Sequence, residues 1–76
     1  RFSPERARWV AQEQWHAEQS GKFESDGSYL LRLPYTDHRE LIMDILKHGA
    51  NCEVLGPPSL RRVVAQEVQK IGEKYL

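Results

Sequence analysis

Phe23-Glu24-Ser25-Asp26-Gly27-Ser28-Tyr29-Leu30-Leu31-Arg32-Leu33 decides the fold class of this chain. Asp-Gly favours the positive backbone dihedrals of a two-residue hairpin turn, and the residues on either side alternate as strands do. The reading gives one strand over residues 18–25 and another over 28–33. In the second, Tyr29, Leu31 and Leu33 share one face and Leu30 and Arg32 the other, so one face is core and the opposite one partly polar. The first strand holds one large apolar residue, Phe23, and has the character of an edge.

Helices flank this hairpin. Upstream, Ser3-Pro4-Glu5 is a helix start, with Ser3 as cap, Pro4 at the first helical position and Glu5 where the helix dipole favours a negative charge. Ala7, Val10 and Ala11 form a thin apolar stripe to about Gln14, stapled by Phe2, while Trp9 lies off the stripe. Downstream, Pro34 ends the strand, and Asp37 and Glu40 have the offset of a capping box. Leu41, Ile42, Ile45 and Leu46 make the buried stripe of that second helix, and Gly49 closes it in a left-handed conformation after Lys47 and His48. Ala50, Cys52 and Val54 then alternate as a short strand that stops at Gly56-Pro57-Pro58. A last helix from about Ser59 spaces Leu60, Val63, Val64, Val68, Ile71 and Tyr75 to bury one stripe.

The order helix, strand, strand, helix, strand, helix predicts an α+β domain. With Arg1-Phe2 as the end of a truncated first strand, it becomes the split β-α-β of a ferredoxin-like fold with an added C-terminal helix. That first strand would lie centrally, between the third and the fourth.

The 76 residues are read as one domain, and a chain this short buries only about 60% of its unfolded surface, so a partner surface would add stability. It opens without an initiator Met and reads as a piece of a larger protein. No apolar run approaches the ~20 residues of a membrane span. The one cysteine, Cys52, can form no internal disulfide, fits an inward strand position, and leaves a reducing, cytoplasmic setting as the default.

Eleven basic and eleven acidic residues cancel, which argues against specific duplex DNA binding by this chain alone. Seven of the basic residues are arginines, the side chain suited to bidentate recognition of carboxylate or phosphate. Arg61 and Arg62 begin the last helix, where the dipole disfavours cations, and Arg32 projects from the polar strand face. Arg32, Arg39, Arg61 and Arg62 are therefore candidates for an acidic partner or a nucleotide or nucleic-acid effector. His16, His38 and His48 lie in separate places and predict no metal site. No glycine-rich phosphate loop and no convergent acid, base and nucleophile appear, so neither a cofactor nor catalysis is expected.

Three segments recur in a known order: Gln14-Trp15-His16-Ala17-Glu18-Gln19, then Asp26-Gly27, then Gly49-Ala50-Asn51-Cys52-Glu53-Val54-Leu55-Gly56-Pro57. Together they cover nearly the whole chain, which resembles the C-terminal extension (WCX) domain of WYL-domain bacterial transcriptional regulators. The resemblance implies a regulatory and dimerising module whose parent carries WYL and helix-turn-helix domains, with homodimers expected. In the loop that carries it, Trp15 is expected to plug the core while His16 and Gln19 hydrogen-bond the loop backbone. The competing use of Trp15, His16 and Gln19 is an interdomain or effector surface. A different class of function, the small-molecule-binding regulatory domain of a metabolic enzyme, shares this strand and helix order.

Overall fold

A computed structural model describes residues 1–76 as α1 (Pro4–Val10), β1 (Ser20–Phe23), β2 (Tyr29–Arg32), α2 (His38–Leu46), a 3-10 turn (Gly49–Asn51) and α3 (Pro58–Tyr75). β1 and β2 form a two-stranded antiparallel sheet in which Gly21 faces Leu31 and Phe23 faces Tyr29. The chain is thus α+β, as its hairpin and flanking periodicities imply.

The N-terminal residues enter the sheet beside β2. Phe2 bridges Tyr29 on one side and Cys52 on the other, both antiparallel. The Phe2 amide donates to the Tyr29 carbonyl at 2.8 Å and the Tyr29 amide donates back at 3.0 Å. Ser3 N–H reaches Asn51 O at 2.9 Å and Glu53 N–H reaches Arg1 O at 2.9 Å. Three residues therefore occupy part of the slot between Tyr29 and Cys52 and satisfy the backbone along it, where a full gap would leave costly orphans.

Phe2, Ala7, Val10 and Tyr29 form the buried cluster, with Ala11, Trp15, Leu31 and Cys52 against it. Val10 has no exposed surface. Burying a side chain of its size contributes about 1.5–3 kcal/mol. Ile42 and Ile45 of α2 and Leu60 of α3 are the other buried apolar residues.

Several local expectations are corrected. The hairpin loop has three residues, not two: Glu24 N–H donates to Ser28 O at 2.7 Å, Gly27 N–H to Glu24 O at 3.0 Å, and only Gly27 has positive φ, at 91°. Asp26 accepts the Ser28 amide at 2.9 Å instead of turning left-handed itself. Both strands are shorter than their patterns suggest, because pairing stops where the loops begin. α1 ends at Val10, four residues before Gln14. Ser3 makes no side-chain cap; its hydroxyl donates to Asn51 Oδ1 at 2.8 Å. At α2, Asp37 accepts the Arg39 amide at 3.0 Å, and no reciprocal bond from Glu40 completes a capping box. Gly49 does close α2, with φ 56°, but the chain then turns through the 3-10 segment, so only Cys52 of the expected strand makes a bridge. Finally, only Leu60 of the α3 stripe is buried; Val68, Ile71 and Tyr75 are exposed because the helix runs on past the elements that cover its start.

Candidate functional site

The Trp15–Gln19 loop joins α1 to β1 through side-chain bonds. Gln19 Oε1 accepts the amides of Trp15 at 2.6 Å and His16 at 3.0 Å, while its Nε2 donates to Glu13 O at 2.9 Å. His16 Nδ1 accepts the Glu18 amide at 2.9 Å, which fixes the proton of neutral His16 on Nε2. Trp15 Nε1 donates to Glu13 Oε1 at 3.0 Å. With its polar edge tied there, the indole lies half-buried, edge-on to Phe2 and stacked on His48. Gln19 and His16 thus satisfy loop backbone, and Trp15 packs against the core cluster.

His48, which the sequence sets just before Gly49 at the end of α2 and reads as no metal ligand, belongs to the core. It is 7% exposed, and both ring nitrogens are buried without a hydrogen-bond partner. Phe2 meets it edge-on at 5.2 Å. Burial holds its pKa below the ordinary 6.5, with Lys47 and Arg6 adding to the effect and Glu13 and Asp44 opposing it. The signal was the apolar company that Phe2 and Trp15 keep, which only the fold assembles.

A groove of about 400 Å³ opens between β2, α2 and the segment 52–57, lined by Leu31, Leu33, Leu41, Ile45, Val54 and Leu60 among others. Arg1, Arg32 and Glu53 stand among its lining residues as the polar ones. Ladder alternation gives this groove a hydrogen-bonding wall. Because Glu24 and Ser28 are bonded across the hairpin, Leu30 bonds to β1 and the N–H and C=O of Tyr29 and Leu31 turn the other way. Those of Tyr29 meet Phe2, whereas those of Leu31 face the groove, in line with Arg1 and Phe2. Such a slot accepts an extended chain, with main-chain bonds on its wall and alternate apolar side chains in its floor.

The predicted site residues are not gathered in one place. Trp15 and Arg32 line the groove; Trp15 and His16 line a second, more polar cavity with Asp37, Glu40 and Asp44. Arg39 is held by Asp37 at 2.6 Å, and Arg61 by Glu53 at 2.9 Å and the Val54 carbonyl at 2.7 Å. These contacts lower the pKa of both carboxyls, chiefly through the arginine hydrogen bonds. Arg32 and Arg62 are exposed and make no ion pair. Cys52 is partly buried against the core, and desolvation raises its pKa, which leaves it a protonated thiol at neutral pH. No three His, Cys, Asp or Glu side chains converge as metal ligands, and no helix is long and apolar enough to cross a membrane.

The WCX domain family matches residues 1–72 of this chain. The chain is a WCX domain. The match covers the Trp15-His16 loop, the Asp26-Gly27 hairpin and the Gly49–Pro57 passage that carry the sequence resemblance. No curated protein matches it. Within this WCX domain the resembling segments have structural work: the first ties α1 to β1, the second turns the hairpin, and the third closes α2 and brings Cys52 to Phe2.

Proposed function

We propose that this WCX domain is the C-terminal regulatory and dimerisation module of a WYL-type bacterial transcriptional regulator, acting without catalysis in the cytoplasm. The match over residues 1–72 carries the reading. The parent chain supplies WYL and helix-turn-helix domains, and DNA is bound there; this domain's balanced charge and its two tied arginines, Arg39 and Arg61, give it no basic face for phosphates. The fold proposed is ferredoxin-like. Its support is the order of antiparallel pairing, β1 then β2 then Phe2 then Cys52, which is the order of a split β-α-β sheet.

In this reading the groove beside Leu31 and the loop at Trp15 and His16 form the contact with the rest of the regulator. Arg32, at the groove and free of ion pairs, meets an anionic effector or partner in this reading; of the four candidate arginines, Arg62 is the other that makes no ion pair. The test compares the full-length regulator with a form lacking residues 1–76. Loss of effector-dependent change in operator affinity, with DNA binding itself retained, is the expected outcome. An unchanged response would refute the assignment.

A further inference from the structure

α3 leaves an apolar stripe uncovered along its second half. Val68 is 52% exposed, Ile71 42% and Tyr75 83%, while Val64 at the start of the stripe is half-buried. Their spacing of four, three and four residues is that of alternating d and a positions in a coiled coil. We propose that this stripe is a two-fold symmetric contact with α3 of a second copy, running antiparallel. The inference rests on the regulatory reading only in naming the surface by which the domain dimerises.

Three features on α3 fit that partner. First, the stripe is self-complementary: an antiparallel copy centred between Gln69 and Lys70 sets Val64 against the partner's Tyr75 and Val68 against the partner's Ile71. Each contact then occurs twice, as a two-fold interface requires. Second, the same register brings Glu67 beside the partner's Lys74 on one flank. Neither side chain makes an ion pair within its own chain. A parallel pairing would not join those two residues, because both occupy the same heptad position, so the charges specify antiparallel. Third, the other flank sets Ala65 against the partner's Gly72. A glycine inside a helix costs about 1 kcal/mol relative to alanine. Nothing in the protomer asks for it: a Cβ at Gly72 would meet only Leu76 Cδ1, at an ordinary 3.8 Å. Small residues on one flank let two helix backbones approach there.

The overlap spans 64–75, too short for a standard interface of at least about 1,200 Å², which places the dimer in the weak, concentration-dependent class. Sedimentation equilibrium of residues 1–76, up to several hundred micromolar, gives a monomer–dimer equilibrium in this account. Val68→Glu with Ile71→Glu abolishes it, and circular dichroism reports the fold intact because both side chains are exposed. Glu67→Lys and Lys74→Glu each weaken it, by about tenfold for the two symmetric pairs lost, and the double swap restores it. A strict monomer, a dimer indifferent to the glutamates, or a double swap no better than either single one overturns the surface. Indifference to these changes would leave the regulatory role standing, since that role is judged by deleting the domain from the regulator.

Discussion

Trp15 stacks on His48 with ring centroids 5.9 Å apart and planes 19° from parallel. The contact joins the loop after α1 to the end of α2, and Phe2 closes it edge-on to both rings. One imidazole is thereby held in an aromatic box that offers it no hydrogen bond.

The stack makes stability depend on pH. Burial lowers the pKa of His48 in the folded chain below the 6.5 of an exposed histidine, so the unfolded chain binds its proton more readily. His48 therefore favours folding fully above pH 6.5, and that contribution is lost as pH falls through the window below it. Asp26, Asp37 and Glu53, whose pKa values are lowered from 3.8, 3.8 and 4.5, weaken the fold only at more acidic pH. Urea midpoints should fall as pH drops below 6.5, and His48→Phe should flatten that limb while leaving the more acidic one. A wild-type midpoint that is constant across the window would contradict the burial of this ring.

Trp15→Ala opens one wall of the box. The indole is only partly buried, so the loss should be about 2 kcal/mol, below the 3–5 of a fully buried aromatic. Water gains access to His48, and its titration, followed by the imidazole proton shifts, should move up toward 6.5. A melt unchanged by the substitution would mean that Trp15 contributes nothing to the core.

Gln19 is a second pivot. Replacing it by Leu removes the acceptor of two amides and the donor to Glu13 O, leaving Trp15 N–H and His16 N–H to find water. Each such loss costs about 1–3 kcal/mol where the group is buried, less where water reaches it, so a total near 2 kcal/mol is expected. Gln19→Glu keeps the acceptor and loses only the donor, and should fall between the two in thermal melts. Equal effects of Leu and Glu would mean that the bond to Glu13 O dominates.

The hairpin, all three helices and the left-handed Gly49 were legible because each is written in neighbouring residues. What the sequence could not locate was set by contacts distant along the chain. Ser3 is a cap by local rules, yet its hydroxyl turns to Asn51, forty-eight residues away. Residues 50–54 alternate like a strand, but the only partner is the short Arg1–Ser3 segment, so pairing reduces to one bridge at Cys52. The apolar spacing of α3 was visible; that half of it faces outward was not, since periodicity names a stripe and not what covers it. Among the site residues, Arg61 is tied by Glu53 across the turn at Gly56-Pro57, which only the folded geometry brings about, whereas the pairing of Arg39 with Asp37, two residues away, is local to the start of α2.

Gly21 offers the sharpest test of the sheet. It faces Leu31 across the ladder, and the ring of Tyr29, diagonal to it, lies where a side chain at 21 would stand. Tyr29 is 8% exposed, a member of the central cluster, and packs on Phe23 with ring centroids 5.0 Å apart. A methyl at residue 21 would overlap the Tyr29 ring and hydroxyl, so the ring must leave its place over the strand. Overpacking of this kind costs about 1–3 kcal/mol, and Gly21→Ala should lower stability by that amount although the site is exposed. In a Tyr29→Val background the obstruction is gone, and the same alanine should cost little or even help by stiffening the strand. The double-mutant cycle in urea therefore predicts a coupling above about 1 kcal/mol. Additive effects would show that Tyr29 does not lie across Gly21 in solution.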